Sequence, residues 1–396
     1  MIYLDHNATT PLDARVRTAM VETLSNPALD GNPSSVHRFG QHARALVEEA
    51  RYAVAASVGA EPLEVTFTSG GTEADNLAVV GTLRALKTAG RPAGLLTSPI
   101  EHPAVLDAGL RLERQGHERV LVEPDPQGRI CPQAVVDALR RHPGIGLVSL
   151  AAGNHELGNA YDIPHIVEAI RRVVPGVLVH CDAVQAYGKV RVDFVEWDVD
   201  LLSVSAHKVY GPKGVGALVH RRRIRIDPIV YGGHQERGRR PGTEPVVLVH
   251  GFGVAANLVS EEREQRFEHT SALRAELLDG LVELTGWHVH GDPVHHTGNT
   301  VNVGFDGCEG ELLLINLDLA GIAVSTGSAC TAGSLEPSHV LLAIGCTPVE
   351  GRSALRISFG KDNARGDVAT LLEQLPGAIA RVRALEAPHV DDRWAG

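Results

Sequence analysis

The sequence lacks both an excess of positive charge and any long apolar run. Its 396 residues carry 37 Lys and Arg against 48 Asp and Glu, a formal net charge of -11. Without a basic field we expect no stable nucleic-acid partner. No apolar run approaches the roughly 20 residues needed to span a bilayer, and residues 1–11 have neither the basic nor the apolar region of a leader. We therefore expect a cytoplasmic protein with no membrane partner.

Cysteine is scarce, and its five occurrences form no framework. No C-x-x-C and no His/Cys spacing is present, which argues against a disulfide framework and a structural zinc site, so no metal is expected. Cys330 stands out because it lies in STGSACTAG, residues 325–333, among glycine, serine, threonine and alanine only. The other four lie beside apolar or helical segments and are expected to be small buried side chains: Cys131, Cys181, Cys308 and Cys346.

Lysine is the scarce member of the basic residues, since only five of the 37 are lysines. One of them, Lys208, follows an apolar strand and stands beside Ser205 and His207. Only an amine that can lose its proton forms a Schiff base, and a guanidinium cannot fill that role. Lys208 is therefore a candidate imine-forming amine, with a solvated surface lysine as the alternative.

The order of apolar segments predicts an α/β fold. A helix with its apolar face over 39–58 is stopped by Gly59, and strands and helices then alternate several times. This alternation is the signature of a mainly parallel, doubly wound sheet, with about seven strands by Leu218. A helix-rich stretch over about 245–284 follows, and shorter strands and helices after it suggest a smaller α+β domain.

The length of the chain favours two domains, each with its own core. We place the large domain at 14–258 and the small domain at 1–13 together with 259–396, which puts the boundary inside the helix-rich stretch. Cys330 then belongs to the small domain.

Open parallel sheets bind ligands at the carboxyl ends of their strands, and unusual segments of this sequence fall there. In TSGGTEADN, residues 68–76, a strand ends in two glycines, Gly70 and Gly71, and Thr72 opens a helix. Free backbone N–H groups, the helix dipole and a hydroxyl would together form a phosphate cradle. A turn that serves geometry alone is the alternative, because no Walker or dinucleotide glycine pattern is present.

Three other segments add polar groups of suitable chemistry. Asp182 follows an apolar strand and could keep a ring nitrogen protonated, with Gln185 reaching an adjacent oxygen. His102 could stack on a planar cofactor and carry protons. Arg356 alternates with apolar residues on a strand, so its fork could clamp a substrate carboxylate. Together with the lysine and the phosphate cradle, these are the parts of a pyridoxal-phosphate enzyme that processes an amino acid.

With those residues in place, the sequence resembles the group I cysteine desulfurases, the NifS/IscS type within the class V aminotransferase superfamily. The resemblance implies a type I pyridoxal-phosphate (aspartate aminotransferase-like) fold. The matching motifs run nearly end to end: YLDHNATTP, GNPSSVHRFG, TSGGTEADN, EHPAVLD, HCDAVQ, SAHKVYGPKGVGAL, GGHQERGRRPGTEPV and STGSACTAGSLEPSHVL.

The resemblance also implies roles for the residues. Lys208 would carry the Schiff base with pyridoxal phosphate, Asp182 would pair with the pyridine nitrogen and His102 would stack on the ring. In a C2 homodimer, one contact to the phosphate would come from the other subunit. The remaining cofactor contacts would be Gln185 at the ring oxygen, Gly71, Thr72, Ser205 and His207 at the phosphate, and Thr243 from the other subunit.

For the substrate, Arg356 matches the carboxylate-binding arginine and Asn32 falls in a segment that also meets the substrate. One departure concerns the cofactor. Where the family usually reads N-N-E-[IV]-G this sequence has NHELG, so His155 replaces an asparagine that holds the ring oxygen in relatives. An imidazole can still donate a hydrogen bond there.

Cys330 matches the nucleophile of the family. Its thiolate would take the sulfur of L-cysteine as a persulfide, leave L-alanine, and pass the sulfur to an iron-sulfur scaffold or a sulfur carrier protein; His102 would deprotonate the substrate thiol. Two alternatives stay open: an aminotransferase or selenocysteine lyase on the same scaffold, in which Cys330 is incidental, and a catalytically silent scaffold that docks sulfur-transfer partners.

Overall fold

The computed structural model describes residues 1–326 and 336–386. Its largest sheet has seven strands in the order β2-β8-β7-β6-β5-β3-β4, and only β8 runs antiparallel to its neighbours. The strands of this sheet are β2 (Val65–Thr68), β3 (Gly94–Thr97), β4 (Arg119–Leu121), β5 (Ile145–Ala151), β6 (Leu178–Asp182), β7 (Leu201–Ser205) and β8 (Gly216–His220).

Two smaller sheets involve both ends of the described chain. A parallel pair joins β1 to β11, and an antiparallel sheet has the order β12-β10-β9. This combination of a mostly parallel sheet and a small antiparallel one confirms the predicted α/β fold class. These strands are β1 (Ile2–Tyr3), β9 (Trp287–His290), β10 (Thr300–Phe305), β11 (Ile322–Ala323) and β12 (Ala354–Ser358).

Helices cover the faces of the large sheet, which is why its central strands β5, β6 and β7 are buried along their whole length. The predicted first long helix ends at Ser57, two residues before Gly59, which adopts φ 67°. The helices are α1 (Ala14–Leu24), α2 (Arg38–Ser57), α3 (Gly71–Asn76), α4 (Thr82–Thr88), α5 (Pro103–Glu113), α6 (Pro132–Arg141), α7 (Ile163–Val173), α8 (Val246–Leu281), α9 (Gly310–Leu319), α10 (His339–Ala343), α11 (Pro348–Arg352) and α12 (Arg365–Glu386).

Among the described residues, the buried apolar side chains form three clusters: two lie against the large sheet and the third surrounds the small antiparallel sheet. Helix α8 joins the larger of the two sheet clusters, where Val249 and Phe252 pack, to the cluster of the small sheet, where Leu273 and Leu277 pack. The proposed domain boundary at residue 258 falls inside this continuous helix of 36 residues. The division into 14–258 and the remainder stays a prediction.

The parallel strands direct the candidate residues to one edge of the large sheet. Strands β5, β6 and β7 end at Ala151, Asp182 and Ser205, which are neighbours along that edge. Within the described residues, no helix is both long and apolar enough to cross a membrane.

Candidate active site

A cavity of about 260 Å³ lies at the carboxyl edge of the sheet. Most of the residues singled out from the sequence line it, although they come from six separate stretches of the chain. The lining residues are Ala8, Gly71, Thr72, Asp75, His102, Ala151, Gly153, His155, Asp182, Val184, Gln185, His207 and Lys208.

One end of the cavity has the features of an anion cradle. Strand β2 leads into Gly70, whose φ of 154° and ψ of -176° are open essentially to glycine alone. A Cβ added to Gly71 would lie 2.8 Å from Cγ2 of Val184, so this turn accepts no side chain without a shift. The Ser205 hydroxyl is fully buried and has no hydrogen-bond partner among the described residues. A phosphate group would satisfy that hydroxyl, and the residues present therefore fit one.

The helix after this cradle is irregular. A π-helical turn over Leu77–Gly81 separates α3 from α4, so one continuous helical run carries a single wide turn. Such turns are frequent at functional sites. The sequence pattern predicts the helix but not this turn.

At the end of β6, Asp182 is a buried carboxylate suited to a cationic partner. Burial raises its pKa to about 6, opposed by the backbone N–H of Val184, which donates to Oδ1 over 2.9 Å, and by the charge of Lys208. A protonated ring nitrogen would supply the missing positive partner. The residues at this point of the cavity therefore fit a pyridine ring.

Two further buried acids, Asp75 and Glu101, surround Asp182. Burial raises the pKa of each carboxyl well above its usual range, and the negative charge of Asp182 raises both further. Sequence reasoning missed their contribution, although both lie inside the motifs TSGGTEADN and EHPAVLD. Only their place inside these motifs could have indicated a role for the two acids, because a single acid in a sequence carries no such information.

Lys208 lies in a 3₁₀ turn directly after β7, at the floor of the cavity. Its Nζ donates to the backbone carbonyls of Asn7 and Ala8, the latter over 2.9 Å. The N-terminal segment therefore positions the amine. Neither Asn7 nor Ala8 was singled out from the sequence, because nothing in a local pattern shows which strand end a distant segment will meet.

His102 caps the N-terminus of α5, where its Nδ1 accepts the backbone N–H of Ala104 over 3.1 Å. Burial lowers its pKa to about 4, and the charges of Lys208 and His339 lower it further. The ring is therefore neutral near pH 7. A neutral imidazole that lines the cavity can stack on a planar ring and exchange a proton.

His155, the departure from the family pattern, also lines the cavity. Its ring meets that of His102 edge-on, with centroids 5.4 Å apart. Burial lowers the pKa of His155 well below its usual range, and His102 and Arg356 add to this effect. His155 is therefore a neutral group that can donate one hydrogen bond.

Arg356 points away from the core that Leu355 and Ile357 bury, as predicted from the strand pattern. Its guanidinium donates to Asp5 Oδ1 over 2.7 Å and to the backbone carbonyl of His155 over 3.0 Å. Asp5 was not foreseen, and it is the acid that compensates this buried charge. Arg356 lies behind His155 and is not among the lining residues.

The structure does not bring every predicted residue to the cavity. Asn32 is exposed, and its Oδ1 accepts the backbone N–H of Ser34 over 2.9 Å. Thr243 is also exposed. Cys330 lies outside the described residues. The roles assigned to individual side chains stay predictions.

Comparison with known protein families identifies the family of this chain. Residues 2–371 match the family described as aminotransferase class-V, and the chain belongs to this family, whose members use pyridoxal phosphate. The predicted family, fold and cofactor are therefore confirmed.

Similar proteins within this family indicate the enzyme class more closely. The chain is 42% identical over 387 residues to the cysteine desulfurase IscS of Aeromonas salmonicida (strain A449), covering 97% of this chain and 94% of that protein. A solved NifS-like protein superposes with a TM-score of 0.89 at 33% identity, covering 96% and 99% of the two chains. SspA in complex with cysteine superposes with a TM-score of 0.78 at 32% identity, covering 92% and 100%. The predicted enzyme class, cysteine desulfurase, is confirmed at this level of similarity.

Proposed function

We propose that this chain converts L-cysteine to L-alanine and carries the sulfur as a persulfide on Cys330 before an acceptor protein receives it. The observation that carries the proposal is the composition of one cavity. Asp182, a buried acid at one wall, shares it with the Lys208 amine and with the Gly71 cradle. A scaffold that only docked partners would have no use for such an arrangement.

Pyridoxal phosphate, when bound, supplies an aldehyde that condenses with an amine and a conjugated ring that accepts electrons. Lys208 would hold it covalently, Asp182 would keep a proton on the ring nitrogen, and Gln185 with His155 would meet the ring oxygen. Gly71, Thr72, Ser205 and His207 would hold the phosphate. The shape of the cradle supports this assignment, since its turn has no room for a side chain.

His102 is the candidate for proton transfer. Its neutral ring lines the cavity within electrostatic range of Lys208. It can accept a proton from a substrate thiol once its cap to Ala104 is released, because Nδ1 and not Nε2 holds the lone pair in the capped form. Arg356 would bind the substrate carboxylate, and Asn32 would contribute from its neighbouring segment.

Sulfur transfer needs Cys330 as its thiolate. The thiolate would form an S–S bond with the substrate sulfur while the C–S bond of the substrate breaks and its electron pair stays with carbon. The carbon then takes up a proton, which gives alanine and leaves the persulfide on Cys330. This step requires no external oxidant.

Substitution of the two reacting residues tests the proposal. Cys330→Ser is expected to keep the bound cofactor and its yellow colour but to produce neither sulfide nor alanine from cysteine, because the thiolate is lost. Lys208→Ala is expected to lose the covalent attachment of the cofactor. Absorption spectra, alanine assay and mass spectrometry of the persulfide measure these effects.

Cys346→Ser is the matched control, since it removes a different thiol, one that contacts His290 over 3.5 Å. It is expected to keep full turnover. Normal alanine production by Cys330→Ser would overturn the persulfide route. Accumulation of pyridoxamine phosphate with cysteine would instead identify an aminotransferase.

We further propose a homodimer in which Thr243 of each chain serves the phosphate of the other, and an iron-sulfur scaffold or sulfur carrier as acceptor. Exposure of Thr243 in the single chain supports the first point. A cytoplasmic location suits the free thiols, since Cys131, Cys181, Cys308 and Cys346 form no disulfide.

A further inference from the structure

A second lysine, Lys189, lies behind the cavity. Its Nζ donates to the side-chain oxygen of Gln185 over 2.6 Å and to that of Asn7 over 2.8 Å. It does not line the 260 Å³ cavity; together with Lys208 it lines a separate cavity of about 30 Å³, on the order of one water molecule. Lys189 therefore cannot touch a ligand of the larger cavity and acts only through its two partners.

No acid explains why a lysine is buried there. Within 1–326 and 336–386, Lys189 forms no ion pair with a carboxylate. Burial lowers the pKa of Lys189 well below its usual range, and the positive charges of Lys208 and Arg356 lower it further. Burying an ammonium among cations is unfavourable unless its hydrogen bonds are needed. The two amide oxygens that it contacts are therefore the reason for its presence.

These contacts determine which way the Gln185 amide faces. A lysine side chain donates to both of its contacts here, so the oxygen of Gln185 must point to Lys189. The amide nitrogen then points to the backbone carbonyl of Asn7, to which it donates over 2.9 Å. A backbone carbonyl can only accept a hydrogen bond. The contacts of the Gln185 oxygen and of its nitrogen therefore require the same orientation of the amide. One N–H of Gln185 is left for the cavity that this residue lines.

Asn7 is fixed in the same way. Its side-chain oxygen accepts from Lys189 and from Asn299 Nδ2 over 3.0 Å, and its Nδ2 donates to Thr300 Oγ1 over 2.9 Å. The backbone carbonyl of Asn7 is shared by Gln185 and Lys208. Because Asn299 and Thr300 hold the Asn7 side chain as well, we expect the loss of Lys189 to act mainly through Gln185.

We propose that Lys189 is a positioning residue that locks the Gln185 amide in the orientation that donates to the ring oxygen of the cofactor. This inference rests on the proposed function, because it assumes that pyridoxal phosphate occupies the cavity. Lys189 lies outside the cavity, yet it determines whether Gln185 presents its N–H donor or its oxygen acceptor to the cavity.

A double-mutant cycle on the apoprotein tests the proposal. The variants Lys189→Met, Gln185→Met and the double variant are titrated with pyridoxal phosphate, and the dissociation constant and the absorption band of the bound cofactor are measured. Each single variant is expected to weaken binding roughly tenfold, the loss typical of a hydrogen bond to a charged oxygen, and to shift the band. In the Gln185→Met background, Lys189→Met is expected to change the constant less than twofold.

Lys87→Met is the matched control, because it makes the same change at an exposed lysine on α4, and it is expected to bind like the wild type. Equal effects of Lys189→Met in both backgrounds, or an unchanged constant and band in the single variant, would overturn the proposal. If thermal unfolding shows that Lys189→Met does not fold, Lys189→Gln takes its place in the same cycle. Failure of the wild-type apoprotein to bind pyridoxal phosphate would instead refute the proposed function.

Discussion

At the scale of single residues, the cavity contains charged side chains that the sequence pattern predicts and contacts that it does not predict. Asp182, His102 and Lys208 could be predicted because each stands at the end of an apolar strand or opens a helix. Asn7 and Lys189 could not be predicted, since their roles depend on tertiary contacts between segments about 180 residues apart in sequence. Asp5 is a similar case, because only the fold shows that it compensates Arg356.

The buried Asp182 predicts a pH dependence of the apoprotein. Its pKa is about 6 in the folded state, above the ordinary value of an unfolded aspartate, so the folded protein binds the extra proton between about pH 4 and 6. Stability from this group is present below that window and is lost as the pH rises through it. Asp182→Asn avoids the ionisation. We expect its free energy of unfolding, relative to wild type, to rise between pH 4 and 8 by on the order of 3 kcal/mol.

Urea unfolding of both apoproteins at pH 4 and pH 8 measures this difference. Asp137→Asn on α6 is the control, since its carboxylate is half exposed and bonded to Gln133 and Arg140. A relative stability of Asp182→Asn that is the same at both pH values would contradict the raised pKa that burial gives this carboxyl group.

At the scale of elements, alternation along the sequence was enough to predict the strands, the helices and the edge where they place the site. It could not predict that β8 inserts antiparallel between β2 and β7, because strand direction depends on pairing. The π-helical turn of Leu77–Gly81 could not be predicted either, because its sequence LAVVG has no polar residue that would show the change in helical phase.

Gly81 shows why this turn requires glycine. A Cβ at Gly81 would lie 2.6 Å from the backbone carbonyl oxygen of Asp227, which cannot move as a side chain could. We expect Gly81→Ala to lower the free energy of unfolding by about 1–3 kcal/mol, the range for overpacking. Gly366→Ala on α12 is the matched control, because nothing lies within 4 Å of its Cβ, and it is expected to stabilise by about 0.5–1 kcal/mol. Equal stability changes in the two variants, measured by urea unfolding, would show that the space around Gly81 is not limiting.

At the scale of the whole molecule, exposed apolar side chains support the proposed dimer. Val36 is 86% exposed and Tyr231 is 80% exposed. They adjoin the segments 33–34 and 234–237, which share the lining of one cavity of about 420 Å³. Two large exposed apolar groups near one cavity are side chains that a protein–protein interface would bury, so we place the proposed dimer contact here.

Tyr231→Glu would place a charge on that surface. We expect it to shift the protein toward monomer in sedimentation equilibrium and, because Thr243 of the other chain would be lost to the phosphate, to weaken cofactor binding as the protein is diluted. Leu319→Glu is the control, since Leu319 is 84% exposed at the end of α9, in a separate part of the chain. A Tyr231→Glu protein that sediments like the wild type would remove this surface from the interface.

The contacts of residues 5 to 8 have a consequence for biosynthesis. The backbone N–H of Asn7 donates to Ser358, and Asp5 binds Arg356. The ribosome therefore synthesises the two partners of each contact about 350 residues apart. A nascent chain that stops short of β12 lacks the contacts with Ser358 and Arg356. We therefore expect the chain to bind its vitamin-derived cofactor firmly only when translation is almost finished.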